Sequence, residues 1–174
     1  MTREETEQLF SQHGRSIYFF CLHLAGRKDA GEELFQETVL KALEHAERIE
    51  GGDDLMRARN YCMGIAVRLH RHRLRKETAH VMLSLDDEST GIGYRITDDL
   101  TPEESFRKKQ EMQELRAAVR TLPEKMQEVI YMFYYAELSI AEIAGTLHIP
   151  QGTVKSRLNT AKNRLREMLE GKQE

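Results

Sequence analysis

Two short runs of cations carry the clearest chemistry in this sequence. Arg68, Arg71, Arg73, Arg75 and Lys76 fall within nine positions, Lys155, Arg157, Lys162, Arg164 and Arg166 within twelve, and no carboxylate interrupts either run. Clustered guanidinium and ammonium groups neutralise phosphates whatever the overall charge of the chain. That overall charge is -3, but its distribution is uneven: residues 1–76 sum to +1, residues 77–114 to -6 and residues 115–174 to +2. Taken alone, each run is equally compatible with a solvated helix face.

Other reactive side chains make no site. Cys21, His23, Cys62, His70 and His72 match no zinc spacing, and two histidines two apart on a helix point in different directions. There is no glycine-rich phosphate loop and no glycine-flanked nucleophile, so no catalytic, cofactor or metal residue is expected. Cys21 and Cys62 each lie in a hydrophobic run and read as buried thiols.

The second cationic run lies in a patterned segment. Ser139 can cap a helix with Glu142 reaching back to it, while Ile140, Ile143 and Ala144 face inward. After a turn at Leu147 and His148, a second helix begins near Pro150 or Gln151, with Val154 and Leu158 on its core side. The pattern is that of a helix-turn-helix. Gln151, Thr153, Lys155, Ser156 and Arg157 sit at the start of the second helix, where side chains reach base edges and backbone amides meet phosphate.

The elements that must position these residues are helical throughout. The 174 residues are 40% hydrophobic and 32% charged, with three prolines, which suits one or two small all-α domains. Leu9, Phe10, Ile17, Phe20, Cys21 and Leu24 predict a first helix stopped at Gly26. Asp29 is expected to cap a second, with Leu34, Phe35, Val39, Leu40 and Leu43 as its apolar stripe. A third helix is expected from about Leu55 to Arg75, with Tyr61, Ile65, Ala66 and Leu69 inward. The polar, glycine-containing stretch 77–100 reads as a flexible acidic linker. Thr101, Pro102 and Glu104 form a helix start. That helix should end at Leu122, with Pro123 opening the next through Val129, Ile130 and Phe133. No apolar stretch approaches eighteen residues and residues 1–5 carry no signal-peptide core, so no membrane insertion and a cytoplasmic location are expected.

With these motifs in place, the sequence resembles the extracytoplasmic-function group of bacterial RNA polymerase sigma factors, the smallest members of the sigma-seventy family. Leu122-Pro123-Glu124, Val129-Ile130, the segment Leu138–Ala144, Gly152–Leu158 and Ala161–Arg166 resemble the family's region 4. Glu32–Thr38, Tyr61–Ala66 and Arg75-Lys76 resemble its region 2. The family commonly has Trp at Tyr61, Asn at Arg68 and Asp at His72, so this third helix is more basic at its promoter-facing end.

The resemblance implies a sigma factor, not an enzyme, that binds core RNA polymerase and directs promoter recognition, melting and initiation. Its domains would be 1–76, binding polymerase and the minus-10 element, and 101–174, binding the minus-35 element, joined by linker 77–100. Glu33, Leu34, Gln36 and Glu37 match the helix that docks on the clamp helices of the largest catalytic subunit. Tyr61, Arg68, Arg71, His72, Arg75 and Lys76 match the minus-10 face, with Arg73 a further phosphate contact, and the loop near residues 50–59 matches the base-capture position. Gln151, Thr153, Lys155, Ser156 and Arg157 match the minus-35 reader. Promoter DNA and an anti-sigma factor are the other implied partners. The alternative on the helix-turn-helix alone is a regulator that binds duplex DNA and still needs a separate sigma factor.

Overall fold

The computed structural model describes residues 1–49, 55–80 and 102–171. The chain is all-α in two helical domains. The first comprises α1 (Arg3–Ala25), α2 (Lys28–Glu44), a 3-10 turn (Ala46–Arg48) and α3 (Leu55–His80). The second comprises α4 (Pro102–Thr121), α5 (Glu124–Ile130), a π-helical stretch (Tyr131–Tyr135), α6 (Ile140–Leu147) and α7 (Gln151–Glu170).

Local signals set most boundaries. Thr2 and Glu5 form a reciprocal capping box at the start of α1, and Gly26 ends that helix at φ 76°, a left-handed backbone that favours glycine. Asp29 is not the cap of α2. Arg27 holds that position without a side-chain bond, and Asp29 lies in the first turn, taking a 2.7 Å hydrogen bond from Arg27. A carboxylate there also complements the helix dipole. Helix α3 runs to His80, past the expected end at Arg75, because no glycine or proline follows Arg75 within that stretch. The remainder of the expected linker, Thr101 and residues 50–54 of the expected base-capture loop lie outside the described residues. Residues 55–59 of that loop are instead the first turns of α3.

In the first domain, Leu9, Ile17, Phe20 and Cys21 of α1 pack with Leu34 of α2 and Cys62, Met63 and Ala66 of α3. The buried stripe of α2 is Gly31, Leu34, Thr38 and Ala42, not the predicted Leu34–Phe35–Val39–Leu40–Leu43 set. Leu40 and Leu43 are 60% and 49% exposed. The cause is the close crossing at Gly31, where a Cβ would lie 2.7 Å from Leu22 Cα. Only a residue without a side chain lets α1 approach there, and that contact fixes which face of α2 turns inward.

In the second domain, Val154, Leu158, Ala161 and Leu165 recur along the buried face of α7 and pack with Val129, Met132 and Ile143. Helix α5 gives way at Tyr131 to a π-helical stretch, in which the Ala136 N–H donates to Tyr131 O at 3.0 Å. The Tyr135 ring of this stretch stacks 4.0 Å from His23 of α1, so the two domains touch.

Candidate functional site

The expected minus-35 residues come together at the start of α7. Ser139 and Glu142 form the predicted capping box on α6. His148 follows in a left-handed conformation, and Ile149 N–H donates to Ala144 O at 3.0 Å, closing α6. Pro150 then precedes α7 and supplies no side-chain cap, leaving the first-turn amides available to an anion. Gln151, Lys155 and Ser156 are exposed, and Thr153 and Arg157 are half-buried. Val154 and Leu158 are buried and fix the helix beneath them.

The expected minus-10 residues lie along α3. Arg68, His72, Arg75 and Lys76 are exposed. The Arg68 guanidinium lies 6.0 Å from the centre of the half-buried Tyr61 ring and donates to Gly64 O at 3.2 Å. Tyr61, Arg68, His72 and Arg75 therefore form one outward stripe at helical spacing. Arg71 is set apart from it. Its Nε and Nη2 donate to the two carboxylate oxygens of Glu128 in α5, each at 2.5 Å, and Glu128 has no exposed surface. Glu124 beside it is pushed up from the usual carboxylate range, by burial first and by the Glu128 charge second.

On α2, Glu33, Gln36, Leu40 and Leu43 are exposed and share a face with half-buried Glu37. Leu34 is different: at 0% exposure it is a core residue that packs α2 into the domain. Arg73 of α3 bridges this face, with Nη1 3.2 Å from Glu33 and Nη2 3.0 Å from Glu37. Arg73 Nη1 also donates to Ala30 O at 3.3 Å. Arg73 thus ties the two helices together, where the sequence suggested a phosphate contact.

Two features were not anticipated. A groove of about 870 Å³ between α1 and α2 is lined by Phe10, Tyr18, Phe35, Val39 and Leu43, among others. The sequence signal for it was the apolar α2 stripe, assigned to the wrong side. The second feature is a set of bonds between the domains, signalled only by a carboxylate, Glu128, immediately before the apolar run Val129–Ile130. Cys21 and Cys62 are buried free thiols, both pushed up to about 12, chiefly by burial. Among the described residues no group of histidine, cysteine and carboxylate side chains could hold a metal ion. No described helix is long and apolar enough to cross a membrane.

The fold and these surfaces define a helical binding protein with a basic helix in each domain and a mixed polar and apolar outer face on α2. Residues 9–80 match the model of sigma-70 region 2, and residues 112–165 that of sigma-70, region 4. The chain is 30% identical over 162 residues to the ECF RNA polymerase sigma factor SigL of Mycobacterium tuberculosis (strain H37Rv), covering 93% of this chain and 87% of SigL. It is 27% identical over 157 residues to SigW of Bacillus subtilis, covering 88% and 82%. Its fold is similar to that of the sigma factor RpoE of Bartonella quintana, solved in complex with the anti-sigma factor NepR. The TM-score is 0.70 at 23% identity, covering 94% of this chain and 96% of that one. The chain belongs to the ECF group of sigma-70 family RNA polymerase sigma factors. It directs RNA polymerase to promoters and leaves nucleotidyl transfer to the polymerase.

Proposed function

We propose that three faces divide this work. The outer face of α2 docks on the clamp helices of the largest catalytic subunit, α3 engages the minus-10 element, and α6–α7 act as a helix-turn-helix on the minus-35 element. The observation that carries the division is the uncapped start of α7, with Lys155 and Ser156 exposed above buried Val154 and Leu158. That arrangement presents amides, a cation and hydrogen-bonding side chains to a groove, while the rest of the helix stays anchored.

On α2, Glu33, Gln36 and Glu37 supply polar specificity. Leu40 and Leu43 supply the apolar anchors that a docking face needs. Leu34 acts from inside, holding the helix in place. On α3, Tyr61, Arg68, His72, Arg75 and Lys76 face the minus-10 element, while Arg71, at the edge of that face, is held by Glu128. Unpairing of a minus-10 base near residues 50–59 exchanges stacking in the duplex for a protein pocket, which melts DNA without ATP. The acidic linker tethers the two readers and raises the effective concentration of the second when the first is bound. The RpoE relative is held by an anti-sigma factor, and the same kind of partner is the natural inhibitor here.

Equilibrium binding tests the division face by face. A Gln36→Ala/Glu37→Ala double variant should bind core polymerase at least tenfold more weakly and keep wild-type affinity for duplex minus-35 DNA. Lys155→Ala with Arg157→Ala should do the reverse. Loss of both activities in either variant, with the fold intact, contradicts the division.

A further inference from the structure

His23 lies in the last turn of α1 and faces the second domain. Its ring centre is 4.0 Å from that of Tyr135 and 6.0 Å from that of Tyr131, both in the π-helical stretch. Helix α4 closes on the same spot. Arg120 Nη2 donates to Gly26 O, at the cap of α1, at 2.6 Å, and Arg116 precedes it by one helical turn.

The two ring nitrogens of His23 fix its charge. Nδ1 lies 2.7 Å from Phe19 O, and a carbonyl only accepts, so Nδ1 carries the proton of the neutral ring. Nε2 is buried without a hydrogen-bond partner. A second proton there would make a buried N–H with no acceptor and would place a cation beside Arg116 and Arg120. Burial first, and these two guanidinium groups after it, hold His23 below the usual histidine range. Tyr131 supplies no counter-charge, since burial pushes its hydroxyl up to about 12. The Tyr135 ring attracts a cation weakly. The other groups that favour the cation belong to α1 itself: the Phe19 carbonyl and the helix C-terminus. Both arginines that oppose it belong to the second domain.

We propose that the contact of His23 with Tyr135, Arg116 and Arg120 is an acid-sensitive joint. The second domain packs on α1 around a neutral His23, and one proton on Nε2 weakens that packing. When the domains part, Nε2 meets water, the arginines leave with α4, and the groups of α1 that remain favour the cation. The packed form therefore binds fewer protons than the parted one. Packing is at full strength above about pH 6.5 and weakens below it, by up to about tenfold per pH unit. Two other groups near the domain contacts titrate separately. His13 is held down by burial and then by Arg59, and Glu124 is held up by burial and then by Glu128. Histidine is suited to the task because its charge changes in mild acid, where the carboxylates and arginines of the ordinary surface keep theirs.

Histidine-ring NMR titrations and an interdomain distance, both on the full chain, test the joint. Spin labels at Gln12→Cys and Asn163→Cys place one probe in each domain, and the buried native thiols resist labelling. In the unsubstituted chain His23 should titrate below 6.5. Gly64→Leu crowds Thr146 of α6 while favouring helix α3. There the distance should lengthen and His23 should return to 6.5 or above. An ordinary His23 titration in the packed chain overturns the proposal. So does a depressed titration that survives separation of the domains, because its cause then lies in the first domain alone. His23→Phe keeps a ring and removes the proton, and it preserves the test if Gly64→Leu folds poorly. From pH 7.5 to 5.5 the ratio of parted to packed chains should rise about tenfold with His23 and stay constant with His23→Phe. An equal rise in His23→Phe assigns the response to His13 or Glu124 and overturns the role of His23.

Discussion

Arg71 and Arg73 are two apart on one helix, and the structure gives them different work. Arg73 joins α3 to Glu33 and Glu37 of α2, and Arg71 reaches Glu128 in the other domain. The cationic run was legible as a run, but a helix turns 100° per residue, so Arg71 and Arg73, two apart, point in different directions. Lys155 and Arg157 should separate in the same way. Lys155→Ala should reduce the slope of log affinity against log salt by about 1, measured on duplex minus-35 DNA, whereas Arg157→Ala should cost about 1–3 kcal/mol if it reads a base edge. An unchanged salt slope for Lys155→Ala would remove it from the phosphate contacts. His70 carries a pH prediction. Burial first, and Arg73 second, bring it down from 6.5 to about 4. The folded state therefore binds fewer protons than the unfolded one between those values. Stability is complete above pH 6.5 and falls as the pH drops towards 4, by on the order of 2 kcal/mol. Urea titrations across that range should show the fall, and His70→Gln should flatten it. An identical profile for the variant would contradict the assignment.

Elements closed by local chemistry were readable from sequence, and those shaped by neighbours were not. The Ser139/Glu142 box and the start of α7 at Gln151 follow from residues three apart and a single proline. The inward positions Ile143, Ala144, Val154 and Leu158 followed the helical period for the same reason. Helix α2 kept its length but not its face, because the crossing at Gly31 decides the packing and an apolar stripe alone does not. The π-helical stretch at Tyr131–Tyr135 lies against His23 of the first domain, and no local signal encodes that contact. The exposed side of α2 is therefore the element most open to a direct test. Leu40→Ser removes an apolar side chain that is 60% exposed. Thermal stability should be unchanged, since surface substitutions act within about 0.5 kcal/mol. Affinity for core polymerase should fall about tenfold, the loss of one anchor. A stability loss above 2 kcal/mol with unchanged polymerase affinity would show that Leu40 serves the fold instead.

At the scale of the molecule, the all-α plan and the two basic helices could be read from charge and hydropathy patterning, and the division into two domains was implied by the family resemblance. The closure of one domain on the other could not be read, since Asn60–Glu142 and Arg71–Glu128 join positions 82 and 57 residues apart. No periodicity links such pairs. The central claim is that one chain carries polymerase docking and both promoter contacts. Run-off transcription with purified core polymerase on fragments of the source genome tests it most directly, comparing the intact chain, core alone and the Gln36→Ala/Glu37→Ala variant. Discrete transcripts that require the intact chain and weaken at least tenfold with the variant are the predicted result. Specific duplex binding without transcripts, with initiation restored only by a different sigma factor, would contradict it.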